Sequence, residues 1–555
     1  MPKKKPETFP ATLDEQEVAL QVAAKKSPAY HAMLYRNIKN QLQENRITSY
    51  SFNGFRFLWE IHNDPAHHKV IKKAAQIGAT EAVMNIVFWA IDALQRDCLY
   101  VLPTDSMASE ISAARFDAAL LVSPHLANLF SHVSNVGHKR SGMTNLYMVG
   151  ANTKDGLRTR SASVLILDER DRMTKDKVLL AQERLGGAVD AIQIDLSTPS
   201  VPNYGIDEVF QKSTWGLFMV KCPRCSKWSD FTLRSLQWDG EDPNTGEIIC
   251  TACHGEFTHQ SRLEAIEKGH WDHQFPDREM RGWQVPRMLS PMKSAKDICE
   301  KWKESLTDKM AEQEFYNSTL GLAHLVEGSQ LSPAEILRCV GDYPMANRAD
   351  SIYCTMGVDV GTWLHIEIAT WLNNLKKVIW IGKVKEFEEL DKFYQSHRIR
   401  MAVIDMGPET RKSRDFVARH PGQAFMCRYL AGGQPKELLS LDEEAQIAVA
   451  ARTEMLDITL ERYRKPKEQV VLPMGPPQEY IDQLCAQARV YEPQGGVQVA
   501  AYRETGPDDY GHAANYNEVA GIIFKRHGGA LVLGAKIMEV LGRRKNDRMT
   551  AHQDW

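Results

Sequence analysis

The sequence lacks long apolar runs, a large excess of charge of either sign, and enough cysteine for a disulfide-rich protein. No apolar run is long enough to span a bilayer, and the first residues, MPKKKPETFPATLDEQ, lack the apolar stretch of a signal peptide. We therefore expect no membrane partner. The net charge of -3 provides no global basic field, so contacts with nucleic acid must come from local patches or from an assembly.

Cysteine is used sparingly but in a pattern. Of ten cysteines, four form two Cys-x-x-Cys pairs and six are scattered. This usage favours a reducing compartment and one metal site over a disulfide framework. The 555 residues, 43% hydrophobic and 25% charged, allow about two to four domains, each with its own core.

Apolar periodicity divides the chain into six predicted segments. The runs DCLYVLP, SVLILDE and AIQIDLSTPS alternate with helical stretches, which is typical of a parallel α/β sheet buried on both faces. The pattern restarts with IYCTMGVDVG, HIEIATW and KKVIWIGKV, whose short polar separators indicate neighbouring hairpin strands. The segments are an N-terminal helical segment (1–45), a first α/β domain (46–219), a cysteine-paired module (220–257), a helical connecting segment (258–345), a second α/β domain (346–535) and a C-terminal tail (536–555).

The stretch KVIKKAAQIGATEAV has the form of a phosphate-binding loop between a strand and a helix. Gly78 supplies the turn, Thr80 a hydroxyl for Mg²⁺, and the following helix a dipole that favours phosphate. Gln76 lies within the loop and joins the predicted ATP-binding set. Any helix that follows a buried strand looks similar, so the loop alone does not establish a nucleotide site.

The positive charge of this loop is not in its usual place. Ala79 stands where the usual loop carries its lysine, directly before Thr80. We expect Lys73, at the start of the loop, to supply the cation, with the adjacent Lys72 as the alternative.

Acidic and hydroxyl residues end the two later strands. SVLILDERD places Asp168 and Glu169 at the end of an apolar strand, where one carboxylate holds Mg²⁺ and the next activates the attacking water. AIQIDLSTPS ends in Ser197 and Thr198, and Thr198 is expected to sense the γ-phosphate. Three strand ends with suitable chemistry on one edge predict a site for ATP and Mg²⁺.

The two cysteine pairs predict a zinc ribbon. KCPRCSKW and ICTACHGEF are separated by a loop-containing segment, so each pair forms a knuckle and the four thiolates face one tetrahedral ion. Two pairs in one short segment argue against redox dithiol chemistry. The predicted structural Zn²⁺ ligands are Cys222, Cys225, Cys250 and Cys253.

The second α/β domain carries carboxylates at strand and helix ends. Asp359 lies within MGVDVG, Asp405 ends MAVIDMG, and Asp509 stands where GPDDYGHAANYNEVAGIIF enters a helix. These are the components of an RNase H-like nuclease that binds two Mg²⁺ or Mn²⁺ ions. Asp508 is the rival of Asp509 for the third position, and Asn515 is a weaker one because its side chain carries no charge.

The segments KAAQIGATE, GANTKDGLRTRSASVLILDERD and LSTPS together resemble the ATPase of bacteriophage terminase large subunits of the lambda GpA type. The resemblance extends over residues 45 to 535 and implies an ASCE-type P-loop ATPase, a zinc ribbon and an RNase H-like nuclease in that order. It implies that Lys73 is the phosphate-binding cation. Arg158 and Arg160 precede the strand that ends in Asp168, and one of them is a candidate arginine finger that neutralises transition-state charge. The segment with Tyr50 and Phe52 resembles the family's adenine-side segment.

The resemblance also implies the function and the partners. A protein of this family uses ATP to move double-stranded viral DNA into a procapsid and cuts concatemeric DNA. It works in the host cytoplasm as a homo-oligomeric ring on the portal protein, beside a small terminase subunit. The sequence leaves two other readings open, a helicase-like or remodelling ATPase with a non-cleaving nucleic-acid-binding C-terminal domain, and a zinc-stabilised adaptor with a decayed ATP site.

Overall fold

The computed structural model describes residues 15–40, 46–131, 133–152, 154–158, 160–349, 353–430, 437–494 and 497–527. The chain forms two compact units, which we call unit 1 (through residue 326) and unit 2 (from residue 327). Each unit is built around its own β-sheet and its own buried apolar clusters. No helix in the described part of the chain is both long enough and apolar enough to cross a membrane.

Among the described residues, unit 1 contains thirteen α-helices and fifteen strands. Its helices are α1 (Glu15–Lys26), α2 (Pro28–Tyr35), α3 (Leu58–Asn63), α4 (Ala79–Asp92), α5 (Asp105–Ile111), α6 (Ala118–Val122), α7 (Pro124–Leu129), α8 (Lys154–Arg158), α9 (Lys175–Gln182), α10 (Gly205–Gln211), α11 (His259–Glu267), α12 (Ala295–Ser305) and α13 (Lys309–Glu314), with π-helical turns at Ser112–Asp117 and Phe315–Leu320. Its strands are β1 (Asn37–Asn40), β2 (Arg46–Ser49), β3 (His68–Lys73), β4 (Cys98–Leu102), β5 (Val133–Asn135), β6 (His138–Ser141), β7 (Thr144–Gly150), β8 (Val164–Asp168), β9 (Ile192–Ser197), β10 (Gly216–Lys221), β11 (Trp228–Ser229), β12 (Leu236–Gln237), β13 (Glu247–Ile248), β14 (His270–His273) and β15 (Arg281–Val285).

The main sheet of unit 1 has a parallel centre. Its strand order is β11-β10-β15-β3-β9-β8-β4-β7-β6-β5, and β14 pairs with β10. The strands from β10 to β7 in this order run parallel, whereas β5, β6, β11 and β14 pair antiparallel. Every residue of β4 and β8 is buried, as expected for strands covered on both faces. The predicted α/β fold with a parallel sheet is confirmed.

Two parts of unit 1 differ from the predicted segments. Within 258–345, which we expected to be largely helical and connecting, β15 pairs parallel with β3 and extends the central sheet. Its sequence, RGWQV, is too short and too polar to stand out as a strand, yet Trp283 is fully buried. Near the N-terminus, helix α2 ends at Tyr35 because Arg36 turns extended and places its buried guanidinium on Asn85 and Glu81; β1 follows and pairs with β2.

Unit 2 contains the remaining helices and strands. Its helices are α14 (Pro333–Arg338), α15 (Glu388–His397), α16 (Thr410–Arg419), α17 (Arg452–Arg464), α18 (Gln478–Cys485) and α19 (Asp509–Arg526). Its strands are β16 (Cys354–Val360), β17 (Leu364–Leu372), β18 (Leu375–Val384), β19 (Ile399–Asp405), β20 (Ala424–Tyr429), β21 (Leu439–Asp442), β22 (Ile447–Ala450), β23 (Val470–Val471), β24 (Gln487–Gln494) and β25 (Val497–Glu504).

The sheet of unit 2 mixes both pairing directions. Its strand order is β21-β22-β20-β19-β16-β17-β18-β23, and the predicted hairpin succession of β16, β17 and β18 is confirmed by their antiparallel pairing. Strand β19 returns parallel to β16, so Asp359 and Asp405 lie on neighbouring strands. Helix α19 packs on β16 at Gly357, where an added Cβ would lie 2.1 Å from the carbonyl oxygen of Ala513.

Candidate functional sites

The predicted phosphate loop connects β3 to α4. Gly78 precedes the helix with φ of 83°, in the left-handed region that favours glycine, and Gln76 is exposed with φ of 59°. The loop backbone is anchored from outside, since the N–H groups of Ala74 and Ala75 donate to the carbonyls of Val285 and Ser318, each at 2.8 Å. The strand that was not predicted, β15, therefore holds the start of the loop.

Lys73, at the end of β3, is the cation that reaches the acidic strand end. Its side chain is buried, with Nζ 2.9 Å from Glu169 Oε1 and 3.5 Å from Thr198 Oγ1. Burial alone would lower the pKa of Lys73, but the charges of Glu169 and Asp168 outweigh it and hold the pKa above its ordinary value. Lys72 contacts the buried Asp207 instead, with Nζ 3.1 Å from Oδ1. The structure thus brings together Lys73, Glu169 and Thr198.

Asp168 is the last residue of β8, and only one of its two carboxylate oxygens has a hydrogen-bond partner among the described residues. Oδ2 accepts a hydrogen bond from the Tyr100 hydroxyl at 2.6 Å, whereas Oδ1 is buried with no hydrogen-bond partner among the described residues. Burial and the neighbouring charge of Glu169 raise the pKa of Asp168 to about 6. A buried carboxylate oxygen without a partner is costly, and a bound Mg²⁺ would satisfy it. The residue therefore suits the predicted metal role.

Glu169 is held in an uncommon backbone conformation. Its φ is 59° and its ψ 48°, and its Oε2 accepts a hydrogen bond from Ser197 Oγ at 3.4 Å. A residue other than glycine in this region costs roughly 1–3 kcal/mol, and such residues concentrate at functional sites. The end of β8 at Asp168 and the left-handed turn at Glu169 together direct the Glu169 carboxylate toward Lys73.

The predicted arginine finger, Arg158 or Arg160, has other neighbours. Arg158 is exposed, its carbonyl accepts a hydrogen bond from Arg184, and no contact of its side chain with Lys73 or Glu169 occurs among the described residues. The guanidinium of Arg160 lies 4.9 Å from the ring centre of Tyr147. The role of either arginine stays a prediction.

Arg115 is near the cluster and was missed from the sequence. It lies in the π-helical turn after α5, its Nη1 is 3.1 Å from Glu81 Oε1, and its charge acts against the charged form of Lys73. No motif surrounds it, so the sequence carries no signal for it. The predicted adenine-side residues Tyr50 and Phe52 are buried in the core of unit 1.

The four paired cysteines converge at the end of β10. The Sγ atoms of Cys222 and Cys253, and those of Cys225 and Cys250, are each 3.8 Å apart, and all four ligand atoms lie within 4.8 Å of one another. A regular tetrahedron with Zn–S bonds of about 2.3 Å has edges of about 3.8 Å. The two knuckles also share one backbone pattern, because Ser226 N donates to the Cys222 carbonyl as His254 N donates to the Cys250 carbonyl, each at 2.9 Å. The geometry suits a tetrahedral zinc ion.

In unit 2, three predicted carboxylates meet near the ends of β16, β19 and α19. Asp359 is buried, and Asp405 is half-buried on the neighbouring strand. Asp359, Asp509 and His365 offer ligand atoms that all lie within 4.8 Å of one another. Burial raises the pKa of Asp359 to about 8; His512 acts against this rise, and Asp405, Asp509 and Asp508 add to it. A divalent cation relieves the mutual repulsion of such a cluster, so the set suits the predicted metal ions.

The rivals of Asp509 have other partners. Asp508 Oδ2 is 3.1 Å from His512 Nε2 and accepts a hydrogen bond from Gln487 at 3.2 Å. Asn515 is buried and its oxygen accepts a hydrogen bond from Thr459 at 2.7 Å. Asp509 offers a ligand atom within 4.8 Å of one of Asp359.

His365 was missed from the sequence. It faces Asp359 in the register of β16 and β17, and both of its ring nitrogens are buried with no hydrogen-bond partner in the described part of the chain. Nδ1 is 3.9 Å from Asp509 Oδ1 and Nε2 is 3.9 Å from Glu479 Oε1. The side chain lines a cavity of about 790 Å³ with Asp509 and Glu479. A single histidine in an apolar strand forms no motif, so only the fold identifies it.

Comparison with known families gives two matches in chain order. Residues 58–271 match the family model described as phage terminase large subunit gpA, ATPase domain. Residues 280–513 match the model described as terminase large subunit gpA, endonuclease domain. The second match begins inside unit 1, before the unit boundary at residue 326.

Two curated proteins and two solved structures are similar to the chain. The large terminase subunit of Enterobacteria phage P21 is 24% identical over 328 residues, or 52% of this chain and 51% of that protein. The corresponding subunit of Escherichia phage lambda is 22% identical over 330 residues, again 52% and 51%. The match thus spans about half the length of these relatives. The large terminase of bacteriophage HK97 aligns over 85% of this chain and 95% of its own, at 12% identity and a TM-score of 0.46. The large terminase of a thermophilic bacteriophage covers 86% of this chain and 100% of its own, at 12% identity and a TM-score of 0.32.

Proposed function

Since the chain belongs to the phage terminase large subunit gpA family, we propose that it is a DNA-packaging motor and nuclease. It hydrolyses ATP to move double-stranded DNA into a procapsid, and it cuts concatemeric DNA into genome units. One observation carries the proposal: an ATPase match is followed by an endonuclease match in the same chain. Each matched region contains a cluster of the side chains that the corresponding reaction needs.

In unit 1, the ion pair of Lys73 and Glu169 is central to the proposed hydrolysis. Lys73 exchanges its 2.9 Å contact with Glu169 for the phosphates of ATP, which carry more negative charge than one carboxylate. Glu169 is then free to accept a proton from the attacking water, and Thr198 keeps the γ-phosphate beside Lys73. Asp168 and Thr80 would hold Mg²⁺, which when bound neutralises charge on the phosphates. While Lys73 and Glu169 are paired, Glu169 does not act as the base. It becomes available when ATP binds to Lys73.

In unit 2, Asp359, Asp405 and Asp509 would hold Mg²⁺ or Mn²⁺. When bound, these ions supply an activated water and stabilise the leaving 3′ oxygen. Burial lowers the pKa of His365 despite the nearby Asp509, so this imidazole is neutral at pH 7 and can accept a proton. The four cysteines would hold a structural Zn²⁺ that closes the ribbon at the end of β10.

The proposed partners follow from the family alone. We propose double-stranded DNA as substrate, a portal protein and a small terminase subunit as partners, a homo-oligomeric ring as the working form, and the host cytoplasm as the location. A ring accounts for the net charge of -3, because several subunits share the phosphate contacts and none binds DNA tightly by itself.

The test is cleavage of supercoiled plasmid with Mg²⁺ or Mn²⁺, with and without ATP. We expect the wild type to nick and linearise the plasmid and Asp405→Asn to lose about 10²-fold or more of this activity. Asp415→Asn, which changes an exposed carboxylate on α16, is the matched control and should cleave normally. Cleavage by Asp405→Asn at the wild-type rate would refute the nuclease assignment, and no cleavage with any divalent cation would favour a non-cleaving remodelling ATPase.

A further inference from the structure

A second group of metal-ligating side chains lies at the far end of the phosphate-loop helix. Asp92 is the last residue of α4, and its Oδ2 is 2.9 Å from His31 Nε2 of α2 and 2.6 Å from His125 Nε2 of α7. The ligand atoms of the three residues all lie within 4.8 Å of one another. Three helices distant in sequence thus present two imidazole nitrogens and one carboxylate to one point.

The neighbouring side chains fix the two imidazoles. Tyr35 stacks on the ring of His125, with centroids 3.8 Å apart and planes at 16°, and its edge contacts His31 at 5.0 Å. His31 is almost fully buried, with 3% of its side chain exposed, whereas His125 is 40% exposed. One ligand is therefore held in the interior and another faces solvent, so an ion has a route into the group.

The end of helix α4 favours a positive charge beside Asp92. Asp92 places a negative charge at the negative end of the α4 dipole, and the last turn of α4 has no basic residue. A divalent cation bound by Asp92 and the two imidazoles supplies this charge.

We propose that His31, Asp92 and His125 form a binding site for a divalent transition-metal ion of the Zn²⁺ type, with water in the fourth position. Two histidines and a carboxylate are a donor set that Zn²⁺ accepts, with ligand distances of about 2.0–2.2 Å. Tetrahedral geometry at those distances needs ligand atoms about 3.3 Å apart, so the present 2.6 and 2.9 Å contacts open by about 0.4–0.7 Å on binding. The bound ion ties α2 and α7 to the end of the helix that begins at the phosphate loop.

The test is a Co²⁺ titration of the full-length protein whose cysteine site is already filled with Zn²⁺, in excess Mg²⁺. Co²⁺ in the proposed site gives visible d–d absorption without the near-ultraviolet thiolate band that a cysteine site shows. The variant is His125→Gln, which removes the most exposed ligand and leaves the buried His31 in place. The matched control is His527→Gln, which removes an exposed imidazole 3.0 Å from Glu443 in unit 2.

We expect His125→Gln to bind one equivalent of Co²⁺ fewer than the wild type and to lose the thiolate-free spectrum, while His527→Gln keeps both. Any Co²⁺ that binds at the proposed nuclease site is the same in all variants, so it drops out when a variant is compared with the wild type. Asp92→Asn should reproduce the loss, and circular dichroism confirms that each variant is folded. Equal stoichiometry and equal spectra for the wild type and His125→Gln would overturn the proposal and leave a hydrogen-bonded trio. Neither outcome depends on ATP hydrolysis or DNA cleavage.

Discussion

At the scale of single residues, the ATPase cluster depends on buried charged side chains that form ion pairs. Lys73 pairs with Glu169, and one strand away Asp195 is fully buried between His68, at 2.8 Å, and Arg170, at 3.6 Å. Arg170 directly follows Glu169, so Asp195 anchors the turn that presents the base. Breaking a buried pair by removing one partner is costly because the other charge stays buried.

The pKa of Asp195 gives a pH-dependent prediction. Burial would raise it, but Arg170, His68 and Gln193 outweigh burial and hold it below its ordinary value. Its contribution to stability is therefore present above the unfolded pKa of about 3.9 and is lost as pH falls through the folded value. Asp195→Asn should lower the free energy of unfolding of unit 1 by about 3 kcal/mol at pH 7.

The measurement is urea unfolding at neutral and acidic pH. The variant should differ from the wild type less as the pH falls below about 4, since the wild type then loses the same interaction. A difference that stays constant over this pH range would show that Asp195 acts through packing and not through its charge.

At this scale, the sequence pattern singled out strand-end residues that the fold brings together, and their roles stay predictions. Lys73, Asp168, Glu169 and Thr198 were predicted because apolar strands ended in suitable groups, and the fold brings them to one edge. His365 and Arg115 could not be predicted, because each is a single polar residue whose neighbours come from distant elements. Their relevance appears only when strand register and helix packing are known.

At the scale of elements, close backbone approaches position the nuclease ligands. Helix α19 carries Asp509 and β16 carries Asp359, and the two elements touch at Gly357. A Cβ at Gly357 would lie 2.1 Å from the Ala513 carbonyl oxygen and 2.2 Å from the Asn517 nitrogen. Neither backbone group can move without shifting the helix, so the glycine sets the distance between the two carboxylates.

Gly357→Ala should therefore reduce plasmid cleavage more than a substitution that destabilises unit 2 at a position remote from the carboxylates. We expect a loss of about 10²-fold, because misplacement by about 1 Å costs that much in a positioned site, together with a lower melting temperature of unit 2. Gly506→Ala is the control, since its added methyl group would meet its nearest neighbour at 3.7 Å. Wild-type cleavage by Gly357→Ala would show that the helix adjusts and that this contact does not position the ligands.

Element boundaries show where local sequence signals fail. The strand β15 was predicted as helical or connecting, because five residues carry too little periodicity to identify a strand. Its place beside β3 is decided by tertiary packing, above all by the burial of Trp283. The long apolar strands β4, β8 and β9 were predicted because burial on both faces leaves a continuous apolar run.

At the scale of the whole molecule, the proposed motor and nuclease sites lie in separate units with separate cores. The apolar clusters of unit 1 end at Leu320, and those of unit 2 begin at Leu331. A ligand stabilises the unit that binds it, by about 2.7 kcal/mol at 100 times its Kd. We therefore predict two thermal transitions, one raised by a non-hydrolysable ATP analogue with Mg²⁺ and the other by Mn²⁺ alone.

Differential scanning calorimetry checks this prediction. Glu169→Gln should keep the shift caused by the ATP analogue, whereas Asp405→Asn should lose the shift caused by Mn²⁺. A single transition that moves with either ligand would contradict the independence of the two units.

In the proposed motor, Lys73 supplies the positive charge that Ala79 cannot. The most direct measurement is steady-state ATP turnover by Lys73→Ala, with Lys72→Ala as the matched control because its side chain pairs with Asp207. This role of Lys73 predicts a loss of about 10²–10³-fold in kcat for Lys73→Ala, with a much smaller effect of Lys72→Ala. Turnover by Lys73→Ala at the wild-type rate would contradict it.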